Sequence, residues 1–148
     1  MKRWLEWYDV RIARFMREHA LKLLRYSVAI IFIWFGFLKV IGFSPATELV
    51  KKTVYVVDPA WFVPLLGVWE VAIGLCFLYR PLIRVAIALL APQMMGTFLP
   101  LFILPGVVFQ SGNPWLLTME GQYIVKNLLI ISAAMVVGST VRRKKSRL

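Results

Sequence analysis

Four long apolar runs constrain this chain more than any other feature: about Leu23–Ile41, Val63–Tyr79, Leu82–Leu104 and Tyr123–Val141. A helix needs about 20 apolar residues to cross the hydrocarbon core of a bilayer. Backbone N–H and C=O groups in lipid must bond within their own segment, so such runs are read as helices. The expected fold is an all-α membrane protein, a four-transmembrane-helix bundle occupying residues 23–141. Composition leads the same way. Hydrophobic residues make up 60% of the 148 and charged ones only 17%. A soluble domain of this size has too little interior to hide so much apolar side chain.

The charges are distributed by region. Lys2, Arg3, Arg11, Arg14, Arg17, Lys22 and Arg25 precede or open the first run. Arg80 and Arg84 lie between the second and third, and Arg142, Arg143, Lys144, Lys145 and Arg147 follow the fourth. Only Lys51 and Lys52 occupy the loops of the other side, while Lys39 and Lys126 fall within runs. The positive-inside rule then places both termini in the cytoplasm of a cell with this protein in its inner membrane. An even number of crossings is the arrangement that collects all three basic clusters on one side. Trp61, Trp115 and Tyr79 fall near span ends, where amphipathic rings favour the headgroup level.

Residues 1–22 read as a basic amphipathic interfacial helix. Arg11, Arg14, Glu18, Lys22 and Arg25 share one helical face, with Leu5, Tyr8, Ile12, Phe15, Met16 and Leu23 opposite. Such a helix lies on the inner membrane surface and runs into the first span, attracted by anionic lipid headgroups. The basic tail, residues 142–148, has the same attraction. No A-x-A site follows, and the basic region is long, so a cleavable signal peptide is not expected.

The first outer loop, Gly42–Phe62, opens with Ser44-Pro45, a helix-start signal. Leu49, Thr53, Val56 and Val57 then share a face, and Asp58-Pro59 is expected to stop that short helix. The second outer loop, Pro105–Gly121, is punctuated by Pro and Gly yet largely apolar. It is expected to pack across the mouth of the bundle, as a lid or as a tether.

Ionisable groups at bilayer depth are costly and normally face the protein interior. Lys39 lies near the outer end of its span, and Lys126 about one turn deep. Glu70 lies about 10 Å below the outer boundary at 1.5 Å per residue. Glu70 shares a face with Gly67 and Gly74, and Lys39 with Gly36 and Ala29. Gln93, Gly96 and Thr97 form a polar stripe next to Pro92, which is expected to kink the third span. Lys126 lines up with Tyr123 and with Ala133 and Ala134, with Asn127 beside it. Four such stripes turned inward would make the outer half of the bundle polar. The candidate binding residues are therefore Lys39, Glu70, Gln93, Tyr123, Lys126 and Asn127. Three roles are open for them: a structural ion-pair network, a site for a small molecule, quinone headgroup or proton, or an interface with a partner subunit.

Several function classes are excluded. The single Cys76 and single His19 leave no disulfide pair, no thiolate metal cluster and no bis-histidine haem, so no metal site is expected. Nothing in the chain carries electrons, so an enzyme acting on its own is not expected. Nucleic acid is set aside as a partner, because topology accounts for the basic residues.

Three segments resemble one family. Arg25–Lys39, RYSVAIIFIWFGFLK, is similar to the first-span signature of the DoxX-like membrane proteins, in particular the branch with the reactive-chlorine-resistance inner-membrane protein. Gly67–Leu75, GVWEVAIGL, resembles the G-x-x-E-x-x-x-G pattern of the second span, and Gly121–Asn127, GQYIVKN, the opening of the last. Lys39, Glu70 and Lys126 match the family's polar pattern; the chain departs from that branch in a shorter first outer loop. The resemblance implies a four-helix integral membrane protein tied to redox biology. The family's name-giving member is a subunit of a thiosulfate:quinone oxidoreductase, and relatives are linked to oxidant resistance. It brings no catalytic residue set. The expectation is an accessory protein of a membrane redox or oxidative-stress system, with no covalently bound cofactor and a quinone or similar amphiphile as candidate ligand. A small-molecule transporter or channel and an assembly subunit of a membrane complex are the alternatives, and a homodimer or partner subunit is open.

Overall fold

The computed structural model describes residues 2–54 and 58–141, with side chains from Asp9 onward. Helix α1, Lys2–Val40, is followed by α2, Thr47–Thr53, and α3, Pro59–Leu78. A 3-10 turn at Arg80–Leu82 leads into α4, Ile83–Phe98, and the short helices α5, Pro100–Ile103, and α6, Pro105–Val108. A second 3-10 turn, Gln110–Gly112, precedes α7, Met119–Ser139. Four helical stretches are long and apolar enough to cross a membrane: Asp9–Val40, Pro59–Leu78, Arg80–Ile103 and Met119–Ser139. The outward surface is apolar as well, with Trp34, Phe35, Leu65, Val68, Leu129 and Met135 all exposed. In water that surface would be an aggregation site; in lipid it is a solvated face.

α1 runs through residues 22 and 23 without a break. The segment 1–22 thus runs into the first span as one helix, and neither Gly nor Pro occurs before Gly36 to break it. Residues 9–23 are exposed all round, so this part of α1 projects beyond the bundle. Local contacts support it: His19 stacks on Phe15 one turn earlier, centroids 4.4 Å apart, and its Nδ1 lies 3.0 Å from the Phe15 carbonyl oxygen. The basic tail and the expected helix-face residues Val56 and Val57 lie outside the described residues.

α1 and α3 form the closest helix pair. They are antiparallel, and small residues spaced seven apart meet across the crossing: Gly36 against Gly67, and Ala29 against Gly74. Without side chains there, the two backbones approach and dispersion contacts replace the missing hydrophobic drive between helices in lipid. Beyond this seam, Phe32, Ile73, Phe77, Ile83, Ala86, Ala133, Ala134 and Val137 make an apolar core. That core occupies the half of the bundle nearest the Arg80–Leu82 turn.

The loops depart from expectation in instructive ways. α2 begins after Ala46, while Ser44 Oγ accepts the Ala46 N–H at 3.3 Å and the Ser44 carbonyl accepts from Thr47 N–H at 3.2 Å. Ser44-Pro45 thus forms a turn ahead of the helix. Lys51 donates to Glu48 at 3.0 Å, and this neighbouring ammonium holds the Glu48 carboxyl below its ordinary range. Asp58-Pro59 does not stop α2, which ends at Thr53, but starts α3. Asp58 accepts the Ala60 N–H at 2.9 Å and Pro59 takes the first helical position, where its missing N–H costs nothing. α4 contains Pro92 and ends at Phe98, and Leu99, itself in α-helical conformation, leads directly into α5 at Pro100.

The Pro105–Gly121 segment is a compact knot. Phe109 bridges to Leu117, and Gln110 N–H donates to the Leu116 carbonyl at 2.7 Å. Ser111 and Gly112 take left-handed conformations, φ 51° and 72°, to turn the chain between them. Thr118 then joins loop to helix: its hydroxyl donates to the Val107 carbonyl at 2.7 Å and accepts the Gly121 N–H at 3.2 Å. Gly121 in turn lies directly against the Val108 carbonyl.

Candidate functional site

Three of the six candidate residues come together, and each stands on a different helix. Lys39 is in the last turn of α1, Glu70 midway along α3, and Gln93 two-thirds along α4. Lys39 Nζ donates to Glu70 Oε2 at 2.5 Å, and Gln93 Nε2 donates to Glu70 Oε1 at 2.7 Å. All three are buried, at 7%, 7% and 9% exposure. Both carboxylate oxygens therefore have a partner, which offsets much of the cost of holding a charge away from water.

The positions follow from the seam. Gly67 lets Lys39 Cβ approach α3, and Glu70 one turn further on receives the ammonium. Gln93 is fixed by its own helix neighbours: Thr97 Oγ1 donates to the Gln93 carbonyl at 2.8 Å. Trp69, next to Glu70, ties the same two helices, its indole N–H reaching the Leu89 carbonyl at 3.2 Å. Sequence reasoning did not single out Trp69. Its sequence signal is slight: the carbonyl that Pro92 deprives of an N–H donor is that of Ala88, next to the Leu89 carbonyl that Trp69 reaches.

Tyr123, Lys126 and Asn127 do not join this cluster. Lys126 Nζ sits 5.3 Å from the Tyr123 ring centroid, and Asn127 Nδ2 donates to the Tyr123 carbonyl at 3.0 Å, so their contacts stay on α7. Tyr123 is 61% exposed and Lys126 is exposed as well. The buried face here is set by Gly121 and Ile124, and Lys126 lies about 200° round the helix from Ile124. The same helix line becomes buried only at Ala133, two turns further along. Gly96 also departs from expectation: it is exposed, with nothing near enough to touch a side chain there. Three inward polar positions on three helices therefore replace the four inward stripes expected.

An open apolar groove of about 570 Å³ lies elsewhere, between α4 and α7. Ile87, Leu90, Met94, Phe98, Ile131 and Ala134 are among its walls. Past Ile87 it meets a smaller hollow of about 350 Å³ bordered by Arg84, Gly138 and Val141. Among the described residues, no group of three His, Cys, Asp or Glu side chains is placed to hold a metal ion.

Compared with known proteins, the chain matches no family model, no curated protein and no solved structure.

Proposed function

We propose that this chain is a DoxX-like inner-membrane protein that acts as an accessory component of a membrane redox or oxidant-defence system, with a quinone headgroup as the ligand of its polar triad. The observation that carries the reading is the Lys39–Glu70–Gln93 cluster. A quinone presents two carbonyl oxygens, which need hydrogen-bond donors. An ammonium has three N–H donors and a carboxamide two, so Lys39 and Gln93 each retain donors beyond those given to Glu70. Glu70 keeps both donors aimed. The distribution of arginines and lysines supports cytoplasmic termini, and with that orientation the triad belongs to the outer half of the membrane. The projecting part of α1 meets anionic headgroups where it leaves the inner surface.

Native mass spectrometry in mild detergent, with ubiquinone added to wild type and Glu70→Gln, tests this reading. A quinone retained by wild type and lost in a folded variant supports it. Quinone binding that is absent from wild type, or equal in both, overturns it.

One observation favours a second reading. Both Glu70 oxygens are occupied by side chains from other helices, which is the arrangement of a lock on helix register. In that reading the chain is a structural or assembly subunit. Copurification of a stable second chain from native membranes would then be expected.

A further inference from the structure

We propose that the groove between α4 and α7 holds one acyl chain of an anionic phospholipid whose phosphate is bound by Arg84. The site is separate from the triad, and its test stands whether or not a quinone binds there. Three observations carry it.

The first is shape and chemistry. The groove walls are hydrocarbon and thioether: Leu90, Met94, Met95, Phe98, Ile131 and Met135. From Ile87 to Phe102 it follows about 22 Å of helix at 1.5 Å per residue. That is longer than one leaflet of a hydrocarbon core of about 30 Å, so an acyl chain lies along the groove for its whole length. Polar walls would have suited a solute; these suit a lipid tail running alongside the helix.

The second is continuity. Ile87 borders both the groove and the smaller hollow that Arg84 lines, so the apolar channel leads to a guanidinium. A Cβ on Gly138 would come 2.6 Å from Ile87 Cδ1, so Ile87 packs directly against the glycine where the two spaces meet.

The third is charge. Arg84 is exposed, and no salt bridge among the described residues involves it. Glu48, Asp58 and Glu120 stand at the opposite end of the bundle, while Glu70 is taken by Lys39 and Gln93. Asp9 and Glu18 lie on the projecting part of α1. Arg25 and Arg80 belong to the same end as Arg84, and the Arg25 Nε is buried without a hydrogen-bond partner. Among the described residues this end of the bundle itself carries Arg25, Arg80 and Arg84, and its carboxylates, Asp9 and Glu18, stand about two turns or more further out along α1 than Arg25. A guanidinium binds a phosphate through two parallel N–H donors, which a zwitterionic headgroup weakens with its own ammonium. The occupant that fits is therefore an acidic phospholipid.

The experiment is native mass spectrometry of the full chain with equal phosphatidylglycerol and phosphatidylcholine, for wild type, Arg84→Gln, Arg80→Gln and Ala91→Trp. Ala91 lines the groove and is exposed, so a tryptophan there fills the groove without entering the core. Wild type and Arg80→Gln are expected to retain one phosphatidylglycerol and to release phosphatidylcholine. Arg84→Gln should lower occupancy about tenfold, the worth of one charge-assisted hydrogen bond. Ala91→Trp should abolish retention while unfolding as wild type does. Equal retention of the two lipids, or wild-type retention by Arg84→Gln or by Ala91→Trp, overturns the proposal. So does a dimer that Ala91→Trp converts to monomer without loss of lipid, because the groove would then belong to a second copy of the chain.

Discussion

Gly36 and Gly67 face each other where α1 crosses α3, and neither has room for a side chain. A Cβ on Gly67 would sit 2.5 Å from the Gly36 carbonyl oxygen, and one on Gly36 2.6 Å from the Gly67 carbonyl oxygen. The obstacle on both sides is backbone, which has no rotamer by which to yield. Gly67→Leu is therefore expected to destabilise the fold by at least about 1–3 kcal/mol, the usual cost of overpacking. Gly96→Leu provides the contrast, because nothing lies within 4 Å of a Cβ there. Unfolding in mixed micelles should separate the two variants; equal stability would mean that the helices do not cross at these glycines.

The triad makes a sharper prediction. Glu70→Gln removes the charge that balances Lys39 and should cost about 3–5 kcal/mol, because a buried ammonium is left without its counter-ion. The double variant Lys39→Met with Glu70→Gln should recover much of that loss, since no charge is then buried. Lys126→Met should change stability by less than about 0.5 kcal/mol, as for surface positions generally. A double-mutant cycle measures this directly. Additive losses from Lys39 and Glu70 would show that the pair does not act as a unit.

Thr118 closes the join between the apolar loop and α7 with one hydroxyl that both donates and accepts. Thr118→Ala is expected to cost about 0.5–2 kcal/mol, as loss of a helix cap does. Thr118→Ser keeps the oxygen and should restore most of it. Hydrogen exchange at Gly121, whose N–H the hydroxyl accepts, provides the residue-level check. Unchanged protection there would rule the cap out.

Membrane orientation is open to direct measurement. In a Cys76→Ala background, Ser111→Cys should react with an impermeant maleimide added to the periplasmic side, and Arg80→Cys only after permeabilisation. The two positions belong to opposite ends of the bundle. The reverse pattern would overturn the orientation drawn from the basic residues.

Hydrophobicity made the spans legible in sequence, because lipid imposes one strong rule on every helix that crosses it. The partnership of Lys39 and Glu70 was legible for a related reason: each shares a helix line with glycines, and close backbones bring those lines together. Tyr123 and Lys126 were misplaced because periodicity tells which residues share a line but not which neighbour that line meets. Near its start α7 turns Gly121 to the loop carbonyl of Val108, leaving the line of Lys126 outside. Asp58-Pro59 was misread for a local reason. An Asp-Pro pair ends one helix and begins the next with equal ease, and only the position of Thr53 decides between them.

The unbroken α1 has a mechanical consequence. Lys2–Val40 forms a rod about 58 Å long at 1.5 Å per residue, nearly twice the depth of a hydrocarbon core of about 30 Å. One end is clasped at Ala29 and Gly36, and the other stands clear of the bundle with no hinge between them. A tilt imposed on the free arm therefore arrives undiminished at Lys39. The glycine crossing is its fulcrum, and the grip of Glu70 on Lys39 is the load on the short arm of a lever.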